Sequence, residues 1–131
     1  MKEIILNSKL NETLIVDESK LACNVGSGLV KVYATPMMIA AMEHAAATLL
    51  QQFLDEGETS VGIMINTSHD AATPLGMQVS IEAEIVEVKG KKVVFEIIAK
   101  DEKDIIGKAS HARFIVIKDK FEAKAYTKAS V

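Results

Sequence analysis

One carboxylate stands in an otherwise apolar stretch of this chain. Glu43 lies within residues 34–47, a segment that reads as a buried helix. Its neighbours three and four residues away are all apolar: Ile39, Ala40, Ala46 and Ala47. In a helix those side chains surround Glu43 on its own face. A carboxylate is rarely buried without a partner, and such groups concentrate at working sites. Two interpretations are open: a buried catalytic carboxylate, or a carboxylate at the edge of the apolar stripe that reaches water.

A hydroxyl and an imidazole could complete an acyl-transfer site around this carboxylate. Thr35 precedes Glu43 by eight residues, just over two helical turns, and therefore lies near the same face. We predict that Thr35 caps the helix and that Pro36 takes the first helical position, where the dipole favours negative charge. Of the three histidines, His69 ends a predicted strand. It is a structural residue unless Glu43 or Thr35 approaches it, in which case it can exchange protons.

The remaining polar candidates are weaker. Asp70 is a poor partner for His69, because adjacent strand residues point to opposite faces. Arg113, the only arginine, alternates with apolar residues and predicts a surface or interface ion pair, with phosphate binding as the alternative. Gly62 inside a strand indicates a close backbone approach. The histidines and Cys23 lack metal-ligand spacing and no phosphate-binding glycine loop is present, so no metal or cofactor is expected.

The bulk composition predicts one globular domain spanning residues 1–131. Hydrophobic residues make up 49% and charged residues 25% of the chain, with a net charge of -3. The lysines are scattered among acids, which argues against a nucleic-acid partner. A single cysteine indicates a reducing compartment. No segment resembles a signal peptide or a membrane span, so we expect a cytoplasmic protein without a membrane partner.

The pattern of elements predicts an α+β fold. Residues 29–34 read as a strand that leads into a helix of about 20 residues, with Gly57 as its C-terminal cap. Alternating runs then predict antiparallel strands near 60–67, 77–86, 93–98 and 105–117, with a bulge at 85–86. Residues 1–27 are the least legible, although 13–16 could form a strand. The helix is expected to lie across one sheet face.

Four segments carry a resemblance to a known family: 32–36, 42–43, 57–62 and 69–76. They resemble the hot-dog-fold thioesterases related to fluoroacetyl-CoA thioesterase, and residues 107–113 look like that family's last-strand motif. The Thr35, Glu43 and His69 set falls at the matching spacing, eight and then twenty-six residues. The resemblance covers the chain from about residue 29 onwards.

This resemblance implies a fold, a function and a set of site residues. The fold would be a hot-dog: one long central helix wrapped by a curved antiparallel sheet, in a homodimer that binds acyl-CoA between its subunits. Thr35, Glu43 and His69 would be catalytic, and Gly62 and Arg113 would be the substrate-binding glycine and arginine. Whether Thr35, Glu43 or an activated water attacks the thioester stays open.

The chain departs from the family at the acyl pocket. Fluoroacetyl-specific members carry bulky aromatic residues before the catalytic threonine, where this chain has Gly26 and Leu29. We therefore expect hydrolysis of a short-chain acyl-CoA without selectivity for fluoroacetyl. Two alternatives from other classes remain: a non-catalytic acyl-CoA-binding or regulatory module, and a hydratase-type enzyme of the same fold.

Overall fold

A five-stranded antiparallel sheet and one long helix make up most of the fold in the computed structural model, which describes residues 1–129. The elements are β1 (Lys9–Ile15), α1 (Ala22–Val25), α2 (Thr35–Gln51), β2 (Glu58–His69), β3 (Gln78–Lys89), β4 (Lys92–Lys100), β5 (Ile105–Ile117) and α3 (Lys118–Tyr126). Short 3-10 helices span Glu18–Lys20 and Thr127–Ala129. The predicted domain extended to residue 131, so its last two residues lie outside the described part of the chain.

The strands lie in the order β1-β3-β4-β5-β2, and every neighbouring pair is antiparallel. Strict alternation along β3 and β4 gives the sheet one apolar face, because successive side chains point to opposite sides. That face is formed by Val79, Ile81, Ala83 and Ile85 of β3 and by Val93, Phe95, Ile97 and Ala99 of β4. It packs against Met38, Met42 and Leu49 of α2 in a single core cluster. The predicted α+β layout is confirmed.

Strand register is irregular at three places, one of which lies between Ala99 and Lys100 in the pairing of β4 with β5. The bulge predicted near residues 85–86 is confirmed, since the pairing of β3 with β4 shifts between Ile85 and Glu87. A second shift falls on β2, between Gly62 and Met64. Bulges of this kind increase local twist and redirect side chains. The second one lies beside the candidate site described below.

Both predicted ends of the long helix were wrong. Ala34 is the N-cap and makes no side-chain cap bond, while Thr35 is already helical. The threonine hydroxyl instead contacts a side chain outside the helix. The helix ends at Gln51, because the chain turns away to bury Leu54, which is only 6% exposed. Gly57 lies beyond the helix in the turn before β2, with φ +85°.

The strand predicted at 29–34 was also wrong. Only two isolated bridges occur there, Leu21 with Tyr33 and Val32 with Pro74. Residues 29–31 are exposed, with Leu29 95% accessible, whereas Tyr33 and Ala34 are buried. The backbone of the segment hydrogen-bonds to residues 22, 23 and 73 and does not join the sheet. Of the possible strands, 13–16 corresponds to β1. The helix α3 was not predicted; its face buries no residue.

The sheet has two edges, formed by β1 and β2. Within the described residues no strand pairs with the outer side of β2. Ile63 and Met64 on that strand are 52% and 45% exposed. No helix among residues 1–129 is long and apolar enough to cross a membrane.

Candidate active site

The first turn of α2 brings a hydroxyl against an imidazole. Thr35 Oγ1 lies 2.7 Å from Nδ1 of His69, the last residue of β2. The contact joins residues that are 34 positions apart, and it arises because β2 ends beside the N-terminus of α2. Freed from capping, the threonine side chain points out of the helix to meet the ring. The approach that would make His69 functionally interesting is therefore present.

The surroundings of His69 keep its ring neutral. Burial lowers the pKa of His69 below its usual 6.5, while the charge of Asp70 acts in the opposite direction. Asp70 does not orient the ring, since its carboxylate accepts a hydrogen bond from Ser68 Oγ at 2.9 Å. Tyr33 packs edge-on at 6.4 Å between ring centroids. The second ring nitrogen, Nε2, is buried and has no hydrogen-bond partner among the described residues.

A cavity of about 290 Å³ opens in front of this pair. Its walls come from residues 22–35 on one side and from 69–72 on the other, and they consist of Ala22, Ser27, Gly28, Val30, Val32, Tyr33, Thr35, His69, Asp70, Ala71 and Ala72. The segment before α2 thus covers the hydroxyl–imidazole pair with small and aliphatic side chains and with one aromatic residue, Tyr33. Leu29, at a predicted lid position, is not among the lining residues.

Glu43 lies on the same helix but contacts a different set of residues. Its side chain is 43% exposed, so the interpretation as a fully buried carboxylate was wrong. Its Oε2 lies 3.7 Å from Nη1 of Arg113. It also lies against Gly62, where an added Cβ would be only 2.7 Å from Oε2. Gly62 is therefore the close approach that the sequence indicated, and the carboxylate is held on one side and open on the other.

Arg113 is buried rather than on the surface. It is 7% exposed, and its guanidinium donates from Nε to Ser60 Oγ at 2.8 Å and from Nη2 to the Ser60 carbonyl at 3.0 Å. Nη1 lies 3.2 Å from Nε2 of His111. Burial lowers the pKa of Arg113, and the charge of Glu43 opposes that effect. The predicted ion pair exists, with Glu43 as the partner.

Two members of this cluster were not among the predicted site residues. Ser60 and His111 are 8% and 0% exposed, and both contact Arg113. His111 could have been found, because it stands two residues from Arg113 on a strand and shares its face. Ser60 is opposite Ile115 on β5 and carried no signal of its own.

The predicted site residues thus form two groups within one chain. Thr35 and His69 make one, and Glu43, Gly62 and Arg113 make the other. The spacing of eight positions from Thr35 to Glu43 places the groups about 12 Å apart along the helix axis. The first group can exchange a proton between hydroxyl and imidazole next to the positive end of the α2 dipole. The second offers a carboxylate base beside a fixed cation. Among residues 1–129 no cluster of side chains could hold a metal ion.

Comparison with known proteins connects this geometry to a family. Residues 16–119 match the model of the family described as FlK, fluoroacetyl-CoA-specific thioesterase. The fluoroacetyl-CoA thioesterase of Streptantibioticus cattleyicolor is 37% identical over 98 residues, which cover 75% of this chain and 70% of that protein.

Solved structures agree over nearly the whole fold. A structure of the fluoroacetyl-CoA thioesterase FlK superposes with a TM-score of 0.92 at 28% identity, covering 97% of this chain and 98% of the other. A Thermus thermophilus protein described as a thioesterase superfamily member gives a TM-score of 0.91 at 28% identity, with 98% and 96% covered. The hot-dog fold expected from the motifs is confirmed. This chain belongs to the fluoroacetyl-CoA-specific thioesterase family.

Proposed function

We propose that this protein is an acyl-CoA thioesterase that hydrolyses short-chain acyl-CoA to the free acid and CoA. Thr35, Glu43 and His69 are the catalytic residues, and Gly62 and Arg113 the substrate-binding glycine and arginine. The protein works without a cofactor as a cytoplasmic homodimer of a single domain, residues 1–131. The observation that carries the proposal is the 2.7 Å contact between Thr35 Oγ1 and His69 Nδ1 at the mouth of a cavity of about 290 Å³.

The pair at the start of α2 suits the thioester carbonyl. As the attack turns that carbonyl into an oxyanion, the positive end of the α2 dipole stabilises the charge. His69 is neutral because burial lowers its pKa, so it can accept a proton from Thr35 or from water and return it to the leaving thiolate. For Nδ1 to accept from the hydroxyl, Nε2 must carry the ring proton. Nε2 is buried without a hydrogen-bond partner among residues 1–129, and Nδ1 is the nitrogen that contacts the hydroxyl.

The Glu43 carboxylate suits activation of the attacking water. One oxygen lies beside Arg113 and Gly62, while the exposed side of the group is accessible to water and substrate. A base must come within hydrogen-bond distance of the group that it deprotonates. At about 12 Å along the helix, Glu43 is too far from Thr35 of its own chain to act on the same carbonyl.

A two-fold dimer resolves this separation. The outer side of β2 has no partner strand among the described residues, and its exposed Ile63 and Met64 favour pairing with a second copy. A two-fold axis at this edge would set two α2 helices side by side, with Thr35 and His69 of one chain facing Glu43 of the other. Each acyl-CoA would then lie between the subunits, as the resemblance implies.

The first experiment measures release of free thiol from a panel of short acyl-CoA substrates. We expect steady hydrolysis, a loss of at least about tenfold in kcat for Glu43→Gln, and near-wild-type activity for His44→Ala. His44 is the matched imidazole control, because it is exposed and its one polar partner among residues 1–129 is Glu12, at 2.9 Å. Binding without turnover would indicate the acyl-CoA-binding module, and a loss of absorbance at an enoyl group would indicate the hydratase.

The second experiment tests the shared site by subunit mixing. The Glu43→Gln and His69→Ala proteins are mixed in equal amounts, unfolded and then refolded together. If the site combines His69 of one chain with Glu43 of the other, half of the dimers are mixed and each has one intact site, giving about a quarter of wild-type activity. Activity that stays at the average of the two parents would show that each chain holds a complete site.

A further inference from the structure

His111 is a buried titratable residue that the proposed chemistry does not use. It lies on β5 with no exposed surface and packs against Phe95, with 5.9 Å between ring centroids and 32° between ring planes. Both of its nitrogens have partners. Nδ1 lies 2.8 Å from the carbonyl oxygen of Met64, and Nε2 lies 3.2 Å from Nη1 of Arg113.

These two partners fix the protonation state of the ring. A carbonyl oxygen only accepts, so Nδ1 carries the proton and donates it to Met64. A guanidinium only donates, so Nε2 is unprotonated and accepts from Arg113. A second proton on the ring would set N–H against N–H. The pKa of His111 is lowered: burial is the largest cause and the charge of Arg113 adds to it, while the Met64 carbonyl and the charge of Glu43 act in the opposite direction.

The same ring controls where the guanidinium stands. Ser60 accepts from Nε and Nη2, and His111 accepts from Nη1, so all three nitrogens of Arg113 are held. The distance that remains to Glu43 Oε2 is 3.7 Å, too long for a hydrogen bond but short enough for an ion pair. His111 also bonds the carbonyl of Met64 at the β2 bulge, next to the backbone of Gly62 that supports the carboxylate.

We propose that His111 is a positioning residue: its neutral ring holds Arg113 at ion-pair distance from Glu43, so that the carboxylate is charge-compensated while its lone pairs stay available to the attacking water. Without this acceptor, Nη1 is free to close onto the carboxylate as a direct hydrogen bond and occupy the base. The proposal rests on the proposed function, in which Glu43 is the base.

The test compares two substitutions of His111 in the dimer of the 131-residue chain. His111→Gln provides an amide oxygen that can accept from Arg113, whereas His111→Leu fills similar space without an acceptor. We expect His111→Leu to lower kcat at least about tenfold with KM changed less than about threefold, and His111→Gln to recover most of that loss. Equal losses in both folded variants, or a loss carried mainly by KM, would overturn the proposal.

A double-mutant cycle separates this role from general damage to the fold. Because His111 acts through Glu43, adding His111→Leu to Glu43→Gln should lower kcat by less than about twofold further. Multiplied losses would show that His111 acts elsewhere. If Glu43→Gln alone leaves kcat unchanged, Glu43 is not the base and the proposed function itself fails at that residue. If Glu43→Gln lowers kcat but the losses multiply, only the role of His111 fails.

A milder variant covers the case in which His111→Leu does not fold. Ser60→Ala removes only the Oγ that accepts from Arg113 Nε and loosens the same guanidinium from its other side. We expect a lowered kcat that again disappears in the Glu43→Gln background. A Ser60→Ala loss of equal size in both backgrounds would overturn the proposal.

Discussion

Adding one methyl group to Gly62 tests whether the position of the Glu43 carboxylate matters for catalysis. An alanine Cβ there would lie 2.7 Å from Glu43 Oε2, 3.2 Å from His111 Cε1 and 3.4 Å from Arg113 Nη1. Ordinary contact begins near 3.4 Å, so the carboxylate oxygen must move by about 0.7 Å. Gly62 has no positive φ and lies on an exposed strand position, so the backbone accepts alanine without strain.

The expected cost falls on kcat, because the part that moves is the half-exposed end of a flexible side chain. Misplacing a catalytic group by about 1 Å costs on the order of a hundredfold in rate. A shift of about 0.7 Å therefore predicts a loss of roughly 10- to 100-fold, or about 1.4 to 2.7 kcal/mol of barrier. The melting temperature should stay close to that of the wild type, since alanine in a strand costs no more than glycine.

The assay is thiol release under saturating acyl-CoA, with melting and light scattering on the same preparations. The matched control is Gly62→Ala in the Glu43→Gln background, where the carboxylate is already lost and little further decrease is expected. A folded, dimeric Gly62→Ala protein with wild-type kcat would refute the reasoning, because the predicted displacement would then have no catalytic consequence.

Four further outcomes follow from the structure. Thr35→Ala should abolish most activity while lowering stability by only about 1 kcal/mol, the contribution of one exposed hydrogen bond, because Thr35 is not the helix cap. Thr35→Ser should retain both activity and stability, and equal activity in the two variants would contradict this prediction. His69 must be neutral to accept a proton, and its pKa in the folded protein lies below 6.5. We therefore expect kcat/KM to stay constant on acidification to pH 6.5 and to decrease at lower pH. A decrease that begins above pH 6.5 would contradict the lowered pKa. Met64→Lys should give a monomer by light scattering, unlike Ile5→Lys, a change at another exposed position (61% against 45% for Met64) away from the β2 edge. With no aromatic at Leu29, kcat/KM for fluoroacetyl-CoA and acetyl-CoA should differ by less than about a hundredfold, and a thousandfold preference would overturn this expectation.

The sequence predicted the sheet well because local patterning decides it. Alternation along β3 and β4 was sufficient to place their buried faces, and the slip at Ile85 was sufficient to locate a bulge. The strand prediction for residues 29–34 was wrong because these apolar residues have high strand propensity, whereas in the structure the segment lines the mouth of a cavity. Propensity describes a local preference, and here the tertiary arrangement overrides it.

The candidate site was predicted in part. Glu43 stood out because a charge among apolar residues is visible in one dimension, and Thr35 stood out because it precedes a proline. Their partners depend on contacts over long sequence distances: 34 residues for Thr35 with His69, and 53 for Ser60 with Arg113. Helix and strand periodicity do not encode such contacts, and only the family resemblance grouped His69 with Thr35. Only the topology, in which β2 runs from Ser60 beside Arg113 to His69 beside Thr35, creates them.

This course of β2 links the two groups to the proposed assembly. One strand carries His69 at its end, the Gly62 backbone near its start, and the exposed edge between them. Pairing at that edge in the proposed dimer would therefore fix three things together: the imidazole, the support of the carboxylate and the approach of the second chain. A monomer would retain both groups yet hold them about 12 Å apart on its own helix. Catalysis in this proposal thus depends on assembly, because each active site would draw residues from both chains.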